Sequence, residues 1–139
     1  MSRATLAARQ REVLDSLLAG RVPDGFDPAG SAATTRVLHR KRSAAARSAC
    51  PEITELPDWR ARFHAYAATH PLRGCAHDDV RAFAASLPAA DGDWVRRHEV
   101  HDGVRRLAWI RSGGRRVLLV GIGATVLTFR APTLTRRTS

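Results

Sequence analysis

Apolar positions recur with a period near 3.6 through roughly the first hundred residues and near two afterwards, which predicts helices followed by strands. Over 2–19, Leu6, Val13, Leu14, Leu17 and Leu18 fall on one helical stripe, and Gly20 is a C-terminal stop. The segment RVPDGFDPAG then reverses the chain at Asp24-Gly25, with Phe26 expected to plug the turn against the core. Asp27 and Pro28 form an N-cap and first-turn pair, so a second helix is predicted to about Ala49, closed by Pro51. Ala33, Val37, Leu38 and Ala45 are expected to face inward. Arg36, Arg40, Lys41, Arg42 and Arg47 are placed largely outward.

A short turn around Ile53 and Leu56 leads to Pro57 and Asp58, which open a third helix carrying Trp59, Phe63 and Tyr66 as a core aromatic row. After the loop THPLRGCAHDD, Asp78 or Asp79 is expected to begin a fourth helix with Val80, Phe83, Ala84 and Leu87 inward, closed by Pro88. A short fifth helix from Asp93 has Trp94, Val95 and His98 on one side. Beyond Gly103 the alternation predicts strands at Val104 to Arg111, Arg116 to Gly121 and Thr125 to Arg130, joined at Ser112-Gly113-Gly114 and Gly121-Ile122-Gly123. Connectors this short require antiparallel pairing. The middle strand is apolar on both faces, so both need cover.

The expected class is therefore α+β: an N-terminal bundle of four to five helices followed by a small three-stranded antiparallel sheet. The divisions are a helical region over 1–92, a short helix plus β meander over 93–132 and a flexible tail over 133–139, all in one compact unit.

The balance of 44% hydrophobic and 26% charged residues is that of a folded domain rather than a disordered tail. The formal charge of +10 rests almost wholly on arginine, Lys41 being the only lysine, and it is uneven. Residues 1–50 carry a net +5, residues 51–100 a net −2 and residues 101–139 a net +7. Ends of this sign point to an acidic or polyanionic partner. The first twenty residues lack the apolar core of a signal peptide, and the apolar run from Val117 to Phe129 is too short to span a bilayer, so a cytoplasmic chain without a membrane partner is expected. Cys50 and Cys75 then read as reduced thiols.

No complete active site emerges. In RHEVHD, His98 and His101 stand three apart, whereas the zinc-protease helix needs four, and a metal there would require Cys75 or His77 as well. No phosphate loop joins a strand to a helix, and no serine or cysteine sits in a nucleophile elbow. The adjacent carboxylates Asp78 and Asp79 read as helix-start residues. Two binding readings follow. In one, a winged-helix-like module holds nucleic acid, with Arg105, Arg106, Arg111, Arg115 and Arg116 neutralising phosphates. In the other, an edge of the terminal sheet hydrogen-bonds an extended peptide, and rim arginines fix its register.

The stretch VPDGFDPAGSAATTRVLHRKRSAAARSACPEI tips the balance. Its Gly25-Phe26-Asp27 turn, the Leu38, Lys41 and Arg42 helix, Pro51, the later WRARFHAYAATHP and DDVRAFAASL helices and the closing RRVLLVGIGATVLTFRAP make up the pattern. It resembles the small domain found in actinobacteria alongside, or fused to, multinuclear non-heme iron-dependent oxidative enzymes. More remotely, the layout is similar to the partner proteins of such enzymes in ribosomal-peptide modification, including methanobactin-type systems. The resemblance implies a non-catalytic accessory subunit that forms a heterodimer with the iron enzyme and binds the leader of a precursor peptide. Cofactors are expected to be none in this chain, with iron in the partner enzyme. The residues expected to meet the leader are Val104, Arg105, Arg106, Leu107, Trp109 and Arg111 of the first strand, guided by Arg115 and Arg116. Arg40 and Lys41 are expected to face the enzyme.

Overall fold

A computed structural model describes residues 2–131, and the tail expected over 133–139 lies outside them. Five helices precede three strands: α1 (Arg3–Leu18), α2 (Pro28–Ala49), α3 (Trp59–Thr69), α4 (Ala76–Ser86), α5 (Gly92–His101), β1 (Leu107–Ser112), β2 (Arg115–Ile122) and β3 (Thr125–Arg130). The fold is α+β. Contacts divide the chain after Phe83 into two compact units. Among the described residues, no helix is long and apolar enough to cross a membrane.

In the first unit, α2 begins where Asp27 and Pro28 predict, the Asp27 carboxylate accepting from the Gly30 N–H at 2.7 Å. Its inward face, however, is not the apolar one. Ala33, Val37 and Ala45 are exposed, Leu38 is half-buried, and Ser31, Arg42, Ser43 and Ala46 are buried. The reason is hydrogen bonding. Thr35 donates its hydroxyl to the Leu17 carbonyl and His39 its Nε2–H to the Leu18 carbonyl, both at 2.7 Å, so α2 satisfies groups that α1 leaves open at its C-terminal end. Arg42, expected outward, forms a bidentate pair with Asp79 at 2.8 and 2.7 Å and donates to the Ala67 carbonyl at 3.1 Å, tying α2 to α3 and α4.

Around this pair the aromatic row forms a core as expected. Phe63 meets Phe83 edge-on at 5.2 Å, and Tyr66 meets Phe83 at 5.5 Å. Ile53, within a 3₁₀ turn over Pro51–Glu55, is fully buried. Leu17 and Leu18 anchor α1, while Leu6 and Leu14 of the predicted stripe are exposed. Phe26 does not plug its turn: it is half-exposed, and Pro23 is the buried residue there.

The start of α4 also shifts. It begins at Ala76, because the Asp78 carboxylate reaches back to the Cys75 N–H at 3.0 Å and thiol at 3.2 Å rather than capping from in front. Gly74 must be glycine, since its φ is +79° and a Cβ would lie 2.5 Å from that carboxylate. Cys50 and Cys75 are free thiols.

In the second unit the strands form an antiparallel meander in the order β1-β2-β3. Gly113 and Gly114, at φ +57° and +76°, supply the tight β1–β2 turn, with Ser112 opposite Arg115. Ala108, Ile110, Val117 and Leu119 point to one face and pack with Val100 of α5, Val126 joining from β3. On α5, His98 is buried and stacks on Trp94 at 5.3 Å, whereas His101 is exposed, so the two histidines do not converge.

Candidate functional site

Strand parity turns Leu107, Trp109 and Arg111 of β1 to the face opposite α5. The register sets Val120, Leu118 and Arg116 beside them, and Leu127 and Phe129 of β3 beyond. Leu107, Trp109, Leu127 and Phe129 are 56, 49, 41 and 52% exposed, and Leu118 and Val120 are half-buried. With Ile122, of the same parity and 61% exposed, seven apolar side chains thus share the face opposite α5. Arg111 and Arg116 close its hairpin end, with the Arg116 guanidinium 5.7 Å from the Trp109 ring centre. No Asp or Glu occurs between Leu107 and Arg130.

β1 is an edge strand, and the register tells which of its backbone groups face outward. The Gly121 N–H donates to the Arg106 carbonyl at 2.8 Å, so hydrogen-bonded pairing alternates from Arg106 through Ala108 and Ile110. Leu107, Trp109 and Arg111 therefore direct their N–H and C=O groups away from β2. The outward Arg111 N–H is already taken by the Asp93 carboxylate. That carboxyl is held below the ordinary aspartate range first by its hydrogen bond from Arg96, with the Arg111 N–H adding to it. The open part of the edge is Leu107 and Trp109.

These placements narrow the residues singled out in the sequence. Val104, Arg105 and Arg106 precede β1 and belong to the connector after α5. The Arg105 N–H is bound to the Glu99 carbonyl at 2.9 Å and its guanidinium to the Glu99 carboxylate at 2.7 Å, which explains why the strand starts later than the alternation suggests. Arg115 flanks the turn with the parity of the α5-facing residues, whereas Arg116 shares the open face with Arg111. On α2, Arg40 lines a cleft against α3 and Lys41 is exposed outside it. The Asp93 bond was missed in the sequence; its only trace there was a carboxylate at the start of the helix that packs on the sheet.

No curated protein and no solved structure matches the chain. A family model does match, over residues 7–89, which takes in most of α1 and all of α2 to α4 and stops before α5 and the sheet. By that match the chain belongs to the family described as SCO6045-like, C-terminal domain.

Proposed function

We propose that this chain is a non-catalytic accessory protein that holds an extended peptide on the sheet of its second unit while a separate multinuclear non-heme iron-dependent oxidative enzyme modifies that peptide. The observation that carries the reading is the open apolar face bordered by an edge strand. A guest strand beside β1 would bond the outward groups of Leu107 and Trp109 and lay alternate side chains against Trp109 and Leu107. Acidic side chains in the guest would meet Arg111 and Arg116, which have no carboxylate on the sheet.

The magnitudes suit a reversible docking site. Covering the exposed halves of Leu107 and Trp109, the side chains that a strand beside β1 reaches, removes roughly 200 Å² of apolar surface, worth about 5 kcal/mol gross. Association costs of about 4 kcal/mol or more offset most of this, so binding in the millimolar range rests also on the edge hydrogen bonds and on Arg111 and Arg116. The part of the reading that concerns the iron enzyme is supported by the resemblance of the helical segment and the closing strands, and no iron ligand is assigned to this chain.

Co-expression with an iron enzyme encoded beside it, followed by size-exclusion chromatography, tests the reading. Co-elution is expected, and separate elution of the two proteins would sink it. The nucleic-acid alternative uses the same arginines, and salt separates the two. Binding to arbitrary duplex DNA that falls steeply with salt, with no binding to the precursor peptide, selects the alternative.

A further inference from the structure

The first unit contains a cleft of about 500 Å³ between α2 and the start of α3. Arg36, Arg40 and Arg47 line it from α2, on one helical stripe, and Trp59, Arg60 and His64 line it from α3. No carboxylate lies in this wall. Three other clefts of the same unit each hold at least one: Asp15 in the first, Glu12 and Asp24 in the second, Asp78 and Asp79 in the third. None of the four cleft arginines has a carboxylate partner among the described residues. Like charges repeated along one helix face oppose folding, so the stripe is a cost that a bound anion would remove.

The remaining wall is polar and prepared. The Arg60 guanidinium lies 5.4 Å from the centre of the largely buried Trp59 ring, a stacking that restricts its plane. His39 has its Nε2–H committed to the Leu18 carbonyl, while His64 Nε2 is buried with no hydrogen-bond partner among the described residues. Burial above all, with His39 and Arg60 adding to it, pushes the His64 imidazole below its ordinary range.

We propose that this cleft binds a phosphoryl group, gripped by Arg40 and Arg60, with Arg36 and Arg47 towards its two ends adding to the positive field. A carboxylate offers two oxygens and one charge, enough for a single guanidinium fork. A phosphoryl group offers three acceptor oxygens and up to two charges, and several arginines can bind it at once. The volume is that of a small-molecule site rather than of a flat docking patch. The ligand is either a free phosphorylated small molecule or a phosphorylated side chain, and the site stands apart from the peptide reading because it lies wholly within the first unit.

Isothermal titration of the full chain with pyrophosphate and, separately, with O-phosphoserine tests this at low salt. Tighter pyrophosphate binding assigns a free ligand, and tighter phosphoserine binding a modified side chain. Arg40→Gln and Arg60→Gln are each expected to weaken the better ligand roughly tenfold or more, with Arg40→Lys weakening it less than Arg40→Gln. Arg116→Gln on the sheet should leave it unchanged. No binding of either probe at millimolar concentration overturns the proposal. So does equal weakening by Arg116→Gln, or equal affinity for free glutamate. Circular dichroism of each variant confirms that the helices persist, and His64, which faces His39 and the cleft arginines, should titrate at higher pH once the anion is bound.

Discussion

Removing Asp79 while keeping Arg42 should damage the first unit far more than loss of a surface ion pair would. Both side chains are only 4% exposed, and the two hydrogen bonds between them are 2.7 and 2.8 Å long. Asp79→Ala leaves a guanidinium that cannot shed its proton, still buried, with the Ala67 carbonyl at 3.1 Å as its remaining acceptor. Breaking a buried pair from one side costs about 3–5 kcal/mol, a large share of the roughly 5–15 kcal/mol that holds a domain folded. With a urea slope near 2 kcal/mol/M, the midpoint of the helical signal at 222 nm should fall by about 1.5–2.5 M. The double substitution Arg42→Met with Asp79→Leu removes both charges and should recover most of that loss. A midpoint shift below roughly 0.5 M for Asp79→Ala would place the pair in the range of exposed salt bridges and refute the argument.

Further expectations follow from the remaining polar contacts and the hairpin turn. The Asp78 carboxyl is held below its ordinary value of 3.8, chiefly by the Cys75 N–H, so its hold on the start of α4 is complete above that value and is lost as pH falls through the lower folded one; the Cys75 amide resonance followed against pH reports it, and a midpoint at or above 3.8 contradicts the bond. His64 is depressed below 6.5, so the unfolded chain takes up a proton first and stability should decline as pH drops beneath 6.5; urea midpoints measured on either side of 6.5 should differ in that sense, and less so in His64→Gln. Gly113→Ala and Gly114→Ala force a side chain into left-handed backbone at the β1–β2 turn and should each cost about 1 kcal/mol in thermal melts, against no change for a substitution at exposed Ser112.

What was legible in the sequence depended on whether a local signal had a local cause. Asp27-Pro28 and Pro51 bracket α2 because capping and proline act through the backbone, and the same holds for Gly113-Gly114 between β1 and β2. The facing of α2 was not legible. Its inner stripe is Ser31, Thr35, His39, Arg42 and Ala46, and the groups that make it inner are Leu17, Leu18, Ala67 and Asp79, far away in sequence. Hydrophobicity alone therefore turned the helix the wrong way and sent Arg42 to solvent.

The candidate site divides in the same manner. Period-two alternation placed Leu107 and Trp109 on one face of β1, and the apolar middle strand signalled that a second face needed cover. The limits of the edge were hidden, because Glu99 and Asp93 tie down Arg105 and the Arg111 N–H through contacts specific to the folded unit. Trp59 read as a core aromatic, which it is, but the arginines that join it in one cleft come from two helices whose relative rotation no local pattern encodes.

The most direct test of the peptide reading is amide hydrogen exchange on the full chain, followed by NMR with and without the precursor peptide of the proposed partner enzyme. The account predicts that the Leu107 and Trp109 amides, which face the open edge, slow markedly on adding the peptide, and that Trp109→Ala abolishes the effect. Unchanged exchange at both amides under saturating peptide, or protection confined to the helices of the first unit, would contradict it.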